Sequence, residues 1–325
     1  MERALLCLLL AVALGAPAQA KVTRYVTGNP ADVVIPLAGP AHDFGGGGTD
    51  VDAGIQWMID QVRGCTSCST KIDVVVLRST GTDGYNDFIF AMNGVDSVET
   101  LVITKPADAN AADVETTVRN AEVVFFAGGD QCDYVTNFKG TRVEAAVQSV
   151  YARGGGVGGT SAGLAIQGDF VYDACVGSVT SAQALADPFD RRVTFTYDFF
   201  HWANLANTIT DDHLVPRDRM GRTMAFVARQ IQDGKAASAL AIAVNEVTSV
   251  VVDKNGMATV MGDGPAYFVL GDHLPEVCRP RTPLTFSNFK IWKVLPGGTF
   301  DLRNRPTSGF YLRSVVNGVI DADPY

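Results

Sequence analysis

The pentapeptide Gly159-Thr160-Ser161-Ala162-Gly163 places a serine between glycines where an apolar run ends and a helix-like run begins. This is the G-x-S-x-G pattern of a nucleophile elbow, a cramped strand-to-helix turn at which flanking side chains would collide with neighbouring backbone. The turn would aim the N–H of Ala162 at the space above the Ser161 hydroxyl, where it could join an oxyanion hole. A plain glycine turn is the alternative, so a base is needed nearby.

The chain offers four histidines as that base, namely His42, His201, His213 and His273. His213 is the strongest candidate because Asp211 and Asp212 precede it, and acids beside a histidine could orient the imidazole and raise its basicity. Three arginines follow it within nine positions, at Arg217, Arg219 and Arg222. The alternative is a solvated charge run at a helix N-terminus.

A second glycine turn ends the apolar segment Phe125-Phe126-Ala127, continuing as Gly128-Gly129-Asp130-Gln131. A buried strand that ends in two glycines puts backbone N–H groups at the carboxyl edge of a sheet, where an oxyanion or a carboxylate can be held. The adjacent Cys132 is a competing thiol nucleophile. It lacks the elbow setting of Ser161, so packing or disulfide formation is the favoured role.

The composition is that of a globular protein, with 325 residues that are 47% hydrophobic and 19% charged, and it favours one large domain. A net charge of −9 argues against nucleic acid and anionic membranes as partners. Residues 1–20 predict a cleavable secretory signal, with Arg3, an apolar run at 4–14 and the site Ala18-Gln19-Ala20. We therefore expect a secreted or periplasmic protein with no membrane span.

Five cysteines follow the predicted signal, and the odd number leaves at least one unpaired thiol or an intermolecular bond. Cys65-Thr66-Ser67-Cys68 favours a loop disulfide over a redox pair or a metal half-site. No second CxxC and no nearby histidine completes a zinc set, so we expect no metal.

Alternating apolar and helix-like segments predict an α/β fold, a doubly wound and mostly parallel sheet with helices on both faces. The predicted strands are 72–77, 100–104 and 123–127, and the predicted helices are 51–62, with Asp50 as its cap, 112–120 and 141–153. In such a sheet the active groups lie beyond the carboxyl ends of the strands.

Short strand-like runs dominate after residue 239, at 239–244, 249–252, 258–261, 267–270, 289–294 and 315–320. Asn255-Gly256 predicts a hairpin between two of them. We predict an α/β domain over 21–270 and a C-terminal β-rich extension over 271–325 that packs on the same domain.

The ordered motifs at Gly128-Gly129-Asp130-Gln131, at Ser161 and at Asp212-His213 with the three arginines resemble peptidase family S51, and within it the cyanophycinases. Further matches are Gly46-Gly47-Gly48-Thr49-Asp50 and Asn245-Glu246-Val247-Thr248. Together they cover roughly residues 40–270.

The resemblance implies a fold similar to class I glutamine amidotransferases, of flavodoxin-like type, and a serine exopeptidase without metal or organic cofactor. Its substrate would be cyanophycin, a poly-aspartate that carries arginine on each β-carboxyl group, cut to β-Asp-Arg dipeptides through an acyl-enzyme. Ser161 would be the nucleophile, His213 the base, and Gly129 and Ala162 the oxyanion donors. The implied substrate-binding residues are Asp130, Gln131, Asp212, Arg217, Arg219 and Arg222. A homodimer stays open as the assembly.

Two departures from the family pattern matter. Asp212 stands where cyanophycinases typically have glutamine, so its charge would weaken carboxylate binding or pair with an arginine. The second departure concerns the acid that orients His213, because similar exported members have a glutamate where this chain has Gln183. Asp187, Asp190 and Asp211 are alternatives for that acid. Two rival functions follow, a dipeptidase of the same family for Asp-X or isoaspartyl peptides and a peptide-binding protein with impaired catalysis.

Overall fold

The computed structural model describes residues 22–325, so the predicted signal at 1–20 lies outside the described residues. The helices are α1 Asp52–Arg63, α2 Asn86–Phe90, α3 Pro106–Ala109, α4 Ala112–Asn120, α5 Gln131–Phe138, α6 Arg142–Ala152, α7 Ala162–Ala165, α8 Ser181–Ala186 and α9 Met220–Gln232. The strands are β1 Thr23–Gly28, β2 Ala41–Gly45, β3 Ile72–Arg78, β4 Val95–Val102, β5 Val123–Phe126, β6 Gly156–Thr160, β7 Phe170–Tyr172, β8 Phe195–Tyr197, β9 Thr208–Asp211, β10 Ala239–Val244, β11 Thr248–Val252, β12 Met257–Gly262, β13 Ala266–Gly271, β14 Phe286–Val294, β15 Thr299–Asp301, β16 Tyr311–Val316 and β17 Val319–Ile320.

The first sheet has the order β1-β4-β3-β5-β6-β2-β11-β12-β15, and its five strands from β4 to β2 are parallel. Successive side chains of strand β3 point to opposite sides of the sheet, so its apolar residues are divided between the two faces. Val74 and Val76 pack into the cluster that contains α1, whereas Val75 and Leu77 pack into the cluster that contains α4 and α6. Helices therefore cover both faces of this sheet, as the alternating pattern predicts.

A second sheet, with the order β17-β16-β14-β13-β10-β9-β7-β8, corrects the expectation of a single sheet. Only β7, β9 and β10 run parallel in it, and the remaining neighbours are antiparallel. Helix α9 packs against it through an apolar face. The mixed α/β class stands, but short apolar runs read alike in parallel and antiparallel strands, so their division between two sheets is not visible in the pattern.

Strands of the C-terminal segment join both sheets. β14, β16 and β17 extend the second sheet, and β15 forms an edge of the first. The predicted strand at 315–320 is instead part of the β16–β17 hairpin. The Asn255-Gly256 turn joins β11 and β12 as an antiparallel pair, as predicted. The division into domains at residue 270 stays a prediction.

Local details correct one expected helix cap and resolve the cysteines. Val51, without a side-chain bond, is the N-cap of α1, and the Asp50 carboxylate instead accepts a hydrogen bond from Tyr85 Oη at 2.7 Å.

Disulfides join Cys65 to Cys68 and Cys132 to Cys175, and Cys278 is a buried free thiol. Between residues 22 and 325, every helix is too short or too polar to cross a bilayer.

Candidate active site

Ser161 stands at the sharp turn between β6 and α7, with φ 53° and ψ −119°. Two positions before it and two positions after it, only glycine fits. A Cβ at Gly159 would lie 2.7 Å from the Gly163 carbonyl oxygen, and a Cβ at Gly163 would lie 2.1 Å from the Phe126 carbonyl oxygen. The two glycines let the turn close against β5, and the strained backbone presents the Ser161 side chain at the carboxyl edge of the first sheet.

The Ser161 hydroxyl lies beside the imidazole of His213, with 2.8 Å between Ser161 Oγ and His213 Nε2. On the other side of the ring, His213 Nδ1 lies 2.6 Å from Glu246 Oε1. His213 is buried, and the Glu246 side chain is 31% exposed. With Nδ1 protonated and donating to Glu246, Nε2 is free to accept the Ser161 proton, which is the arrangement of a serine nucleophile, its base and an orienting acid.

The acid comes from a strand beside the one that carries the base. β9 and β10 are parallel, and their register sets Asp211 opposite Ala243. Two residues past Asp211 the chain reaches His213, and three residues past Ala243 it reaches Glu246, so both side chains emerge at one sheet edge. The motif Asn245-Glu246-Val247-Thr248 carries this carboxylate two residues after β10, but its role depends on β9 and β10 being neighbours, which the sequence pattern does not state.

A glycine loop after β2 connects these three segments through its carbonyl groups. Ser161 N–H donates to Gly45 O at 3.0 Å, His213 N–H donates to Gly46 O at 2.8 Å, and Val247 N–H donates to Gly47 O at 2.9 Å. A Cβ at Gly47 would lie 2.3 Å from His213 Cε1. Position 47 must therefore be glycine for the loop to approach the imidazole. Through its carbonyl groups the loop connects the segments that carry nucleophile, base and acid.

Gln183 does not reach His213, which corrects the expectation for the third member. Its side chain closes a capping box at the start of α8, where Gln183 Oε1 accepts from Thr180 N–H at 3.1 Å. Asp211 is also engaged elsewhere, because it accepts from Arg222 Nε at 3.0 Å and from Thr223 Oγ1 at 2.7 Å. Glu246 holds the position that was assigned to them.

The two remaining alternatives are likewise engaged. Asp187 accepts from the N–H groups of Phe189 and Arg281, and Asp190 forms an ion pair with Arg192 at 2.8 Å. The Arg192 guanidinium lowers the pKa of Asp190 to about 2, so this carboxylate serves a local ion pair.

The turn that carries Gly129 runs beside the nucleophile, since a Cβ at Gly128 would lie 3.7 Å from Ser161 Cβ. Within residues 22–325, the N–H groups of Gly129 and Ala162 donate to no protein acceptor. Two free N–H groups flanking a serine hydroxyl are what an oxyanion hole requires. Asp130, the next residue, caps α5 by accepting from Cys132 N–H at 2.9 Å.

A cavity of about 250 Å³ opens above Ser161. Most predicted substrate-binding residues line it, and the full lining is Gly129, Asp130, Gln131, Ser161, Ala174, Gly177, Ser178, Asp212, Arg217 and Arg219. The size suits a dipeptide-sized unit rather than a long buried segment.

Buried ion pairs occupy two of the three arginines. Arg222, only 2% exposed, binds Asp211 through its guanidinium and does not line the cavity, which corrects its expected place in the wall. Arg219 is 13% exposed in its side chain and pairs with Asp212. Burial alone would raise the pKa of Asp211, but the Arg222 charge outweighs it and holds that pKa below its ordinary value. Asp211 is therefore an ionised partner of Arg222.

Arg217 is the arginine that stays available to a ligand. Its side chain is 51% exposed, and its Nε lies 3.8 Å from Glu246 Oε1. The departure at Asp212 thus has a structural consequence, because it neutralises Arg219 and leaves Arg217 as the exposed cation of the cavity. In the part of the chain that the structure describes, no group of three histidine, cysteine or acidic side chains could hold a metal ion.

The chain matches no family model and no curated protein. Its fold is similar to the crystal structure of a peptidase from an acI-B1 actinobacterium, with 14% identity, a TM-score of 0.55, and 82% of this chain and 98% of that one covered. A proposed peptidase E of Listeria monocytogenes EGD-e aligns with a TM-score of 0.45 and 13% identity over 70% of this chain and all of that one. The chain therefore shares the fold of a solved peptidase.

Proposed function

We propose that this protein is a serine-type peptidase in which Ser161 is the nucleophile, His213 the base and Glu246 the acid that orients it. The observation that carries the proposal is the continuous contact from Ser161 Oγ through both nitrogens of His213 to Glu246. The peptidase-like fold and the strained serine turn support it independently.

In the first half-reaction, Ser161 Oγ attacks the scissile carbonyl carbon as His213 Nε2 takes its proton. The charge that develops on the carbonyl oxygen meets the N–H groups of Gly129 and Ala162, and Glu246 stabilises the imidazolium. His213 then gives the proton to the leaving amine, and an ester remains on Ser161. Water, deprotonated by the same imidazole, hydrolyses the ester and regenerates the serine.

For the substrate we infer a short unit that carries both a carboxylate and a cation, released from a chain end. Arg217 offers an exposed guanidinium to a carboxylate, and Asp130, on the wall that carries Gly129, offers an exposed carboxylate to a cation. The β-Asp-Arg unit of cyanophycin has both charges, whereas Asp-X and isoaspartyl dipeptides need only the first. Export, inferred from the predicted signal, would place the enzyme where an insoluble polymer is met.

The proposal is tested with purified protein lacking residues 1–20, incubated with cyanophycin and with α-Asp-X and isoaspartyl dipeptides. We expect release of β-Asp-Arg and its loss by roughly 10⁴-fold or more in Ser161→Ala. Ser178→Ala is the matched control, since this serine lines the same cavity without contacting His213. Full activity in Ser161→Ala would overturn the mechanism, and turnover of the dipeptides alone would reassign the substrate.

The rival function, peptide binding without catalysis, was motivated by an amide at Gln183. With Glu246 in the orienting position that motive is gone. A fluorophosphonate probe reacts with activated serines only, so labelling of Ser161 counts against the rival. Tight binding of β-Asp-Arg with neither labelling nor turnover would support it.

A further inference from the structure

Two separate segments of chain face each other across the cavity. One is Gly129–Gln131 at the start of α5, and the other is the loop 173–180, which contributes Ala174, Gly177 and Ser178. The disulfide between Cys132 and Cys175 joins these two walls directly, with 4.9 Å between the Cα atoms of two residues that are 43 positions apart in sequence.

The loop is anchored to its own side of the cavity, where Ser178 Oγ accepts from the buried Arg222 at 3.2 Å. At the base, Asp173 accepts from Thr196 Oγ1 at 3.0 Å, and Tyr172 Oη accepts from Val179 N–H at 2.9 Å. The tip is exposed, with Val176 45% exposed. Among the described residues, no hydrogen bond runs from residues 174–178 to α5. The covalent bond is thus the direct link between the tip and the opposite wall.

We propose that the Cys132–Cys175 disulfide positions the wall of the substrate cavity, so that its reduction weakens substrate binding while the chemical step is preserved. Within the described residues, neither Cys132 nor Cys175 is hydrogen-bonded to Ser161, His213 or Glu246, so the loop can move without breaking the bonds among those three. The inference rests on the proposed peptidase function for its kinetic consequence, because a peptide bound between the two walls is what the loop would hold.

The reduction needs a dithiol as co-reactant. A dithiothreitol thiolate attacks one sulfur of the pair to form a mixed disulfide, and its second thiol displaces that bond. The protein gains two electrons and two protons as thiols at Cys132 and Cys175, and the reagent leaves as a cyclic disulfide. Loss of the cross-link removes the covalent tie across the cavity, so the loop 173–180 should fluctuate more at its outer residues.

The experiment compares Cys132→Ser/Cys175→Ser with Cys65→Ser/Cys68→Ser. The second pair is a matched control, because it removes the other disulfide, which follows α1 and does not line the cavity. We expect KM for the peptide substrate to rise about 10-fold in the first variant with kcat within about 2-fold, an effect of a tenfold weaker complex. The control should keep both constants.

Hydrogen exchange of residues 174–178, read by mass spectrometry, tests without any substrate whether the disulfide restrains the loop. We expect faster exchange in Cys132→Ser/Cys175→Ser, and in the wild type after dithiothreitol, which also serves if the variant does not fold. Unchanged exchange, or unchanged KM with only a lower melting temperature, overturns the proposal. If the wild type hydrolyses no peptide, the proposed peptidase function is refuted instead. The exchange measurement alone then decides whether the disulfide positions the loop.

Discussion

Two buried histidines show what distinguishes a candidate base from a packing residue. His42 and His213 are 1% and 5% exposed. His42 lies in an aromatic box, stacked on Tyr151 at 4.5 Å and on Phe44 at 4.8 Å between ring centroids. Its Nδ1 lies 2.9 Å from Val157 O, and its Nε2 has no partner within the described residues. His213 instead has a polar group at each nitrogen.

The comparison shows that a buried histidine without a polar group at each ring nitrogen is a poor candidate for a catalytic base. Burial lowers the pKa of His42 to about 4, although the Val157 carbonyl opposes the shift in part. A ring in that setting stays neutral and has no route for a proton. At His213 a carboxylate oxygen of Glu246 lies 2.6 Å from Nδ1, so in the proposed mechanism the ring that takes the Ser161 proton has a charged partner.

The largest expected effect is on the base itself. His213→Ala should lower kcat/KM for the peptide substrate by roughly 10⁴-fold, because Ser161 then has no proton acceptor. Steady-state hydrolysis with equal amounts of folded protein measures it. A loss of less than about 10-fold would erase the distinction between the two histidines.

The orienting acid comes next. Glu246→Gln should lower kcat by roughly 10²-fold to 10⁴-fold, because an amide stabilises imidazolium poorly and does not select the tautomer. The matched comparison is Gln183→Ala, which removes the residue expected from sequence and should change kcat by less than about 3-fold. The opposite ranking of the two variants would return the third position to Gln183.

A smaller loss is expected from the glycine loop. Gly47→Ala places a Cβ 2.3 Å from His213 Cε1, so the ring must move and kcat should fall by about 10²-fold. Gly140→Ala is the control, because both glycines have positive φ, at 93° and 73°, but a Cβ at Gly140 meets nothing within 4 Å. Equal kinetic losses in the two variants would assign the effect to backbone strain rather than to the clash.

The smallest effect on activity is expected at His42. His42→Phe keeps an aromatic ring in the box and should leave kcat/KM within about 3-fold at pH 7.5. Its effect is on stability and depends on pH. The pKa falls from 6.5 to about 4 on folding, so the unfolded chain binds more protons between these values and wild-type stability rises with pH across that window.

Denaturant unfolding at pH 4 and pH 6.5 measures this effect. The stability of the wild type relative to His42→Phe should increase by up to about 3 kcal/mol over the window, and contributions from other titrating groups cancel in the difference. A difference that does not change with pH would mean that burial does not lower the pKa of His42, and the contrast with His213 would then rest on hydrogen-bond partners alone.

Much of the first sheet could be predicted from sequence. The runs 74–77 and Val123–Phe126 are continuously apolar because helices cover both faces, and the predicted helix 112–120 matches the bounds of α4. Ser161 and His213 could also be found, because their motifs are local in sequence.

What could not be predicted depends on contacts between distant segments. Glu246 reaches His213 through the parallel register of β9 and β10, and no local pattern states that register. The ion pairs of Arg219 and Arg222 similarly depend on how Asp212 and Asp211 turn at the end of β9. Residue types showed that charges were present, but whether each faces a ligand or a partner is decided by tertiary packing.

The glycine loop after β2 has a consequence for how activity is acquired. Ser161 follows a strand of the first sheet and His213 a strand of the second, and the carbonyls of Gly45 and Gly46 hold the two together. Neither sheet alone carries both members of the proposed catalytic pair. During refolding, enzymatic activity should therefore return only when the sheets dock, later than the circular dichroism signal of strands and helices, because contacts between distant segments form last.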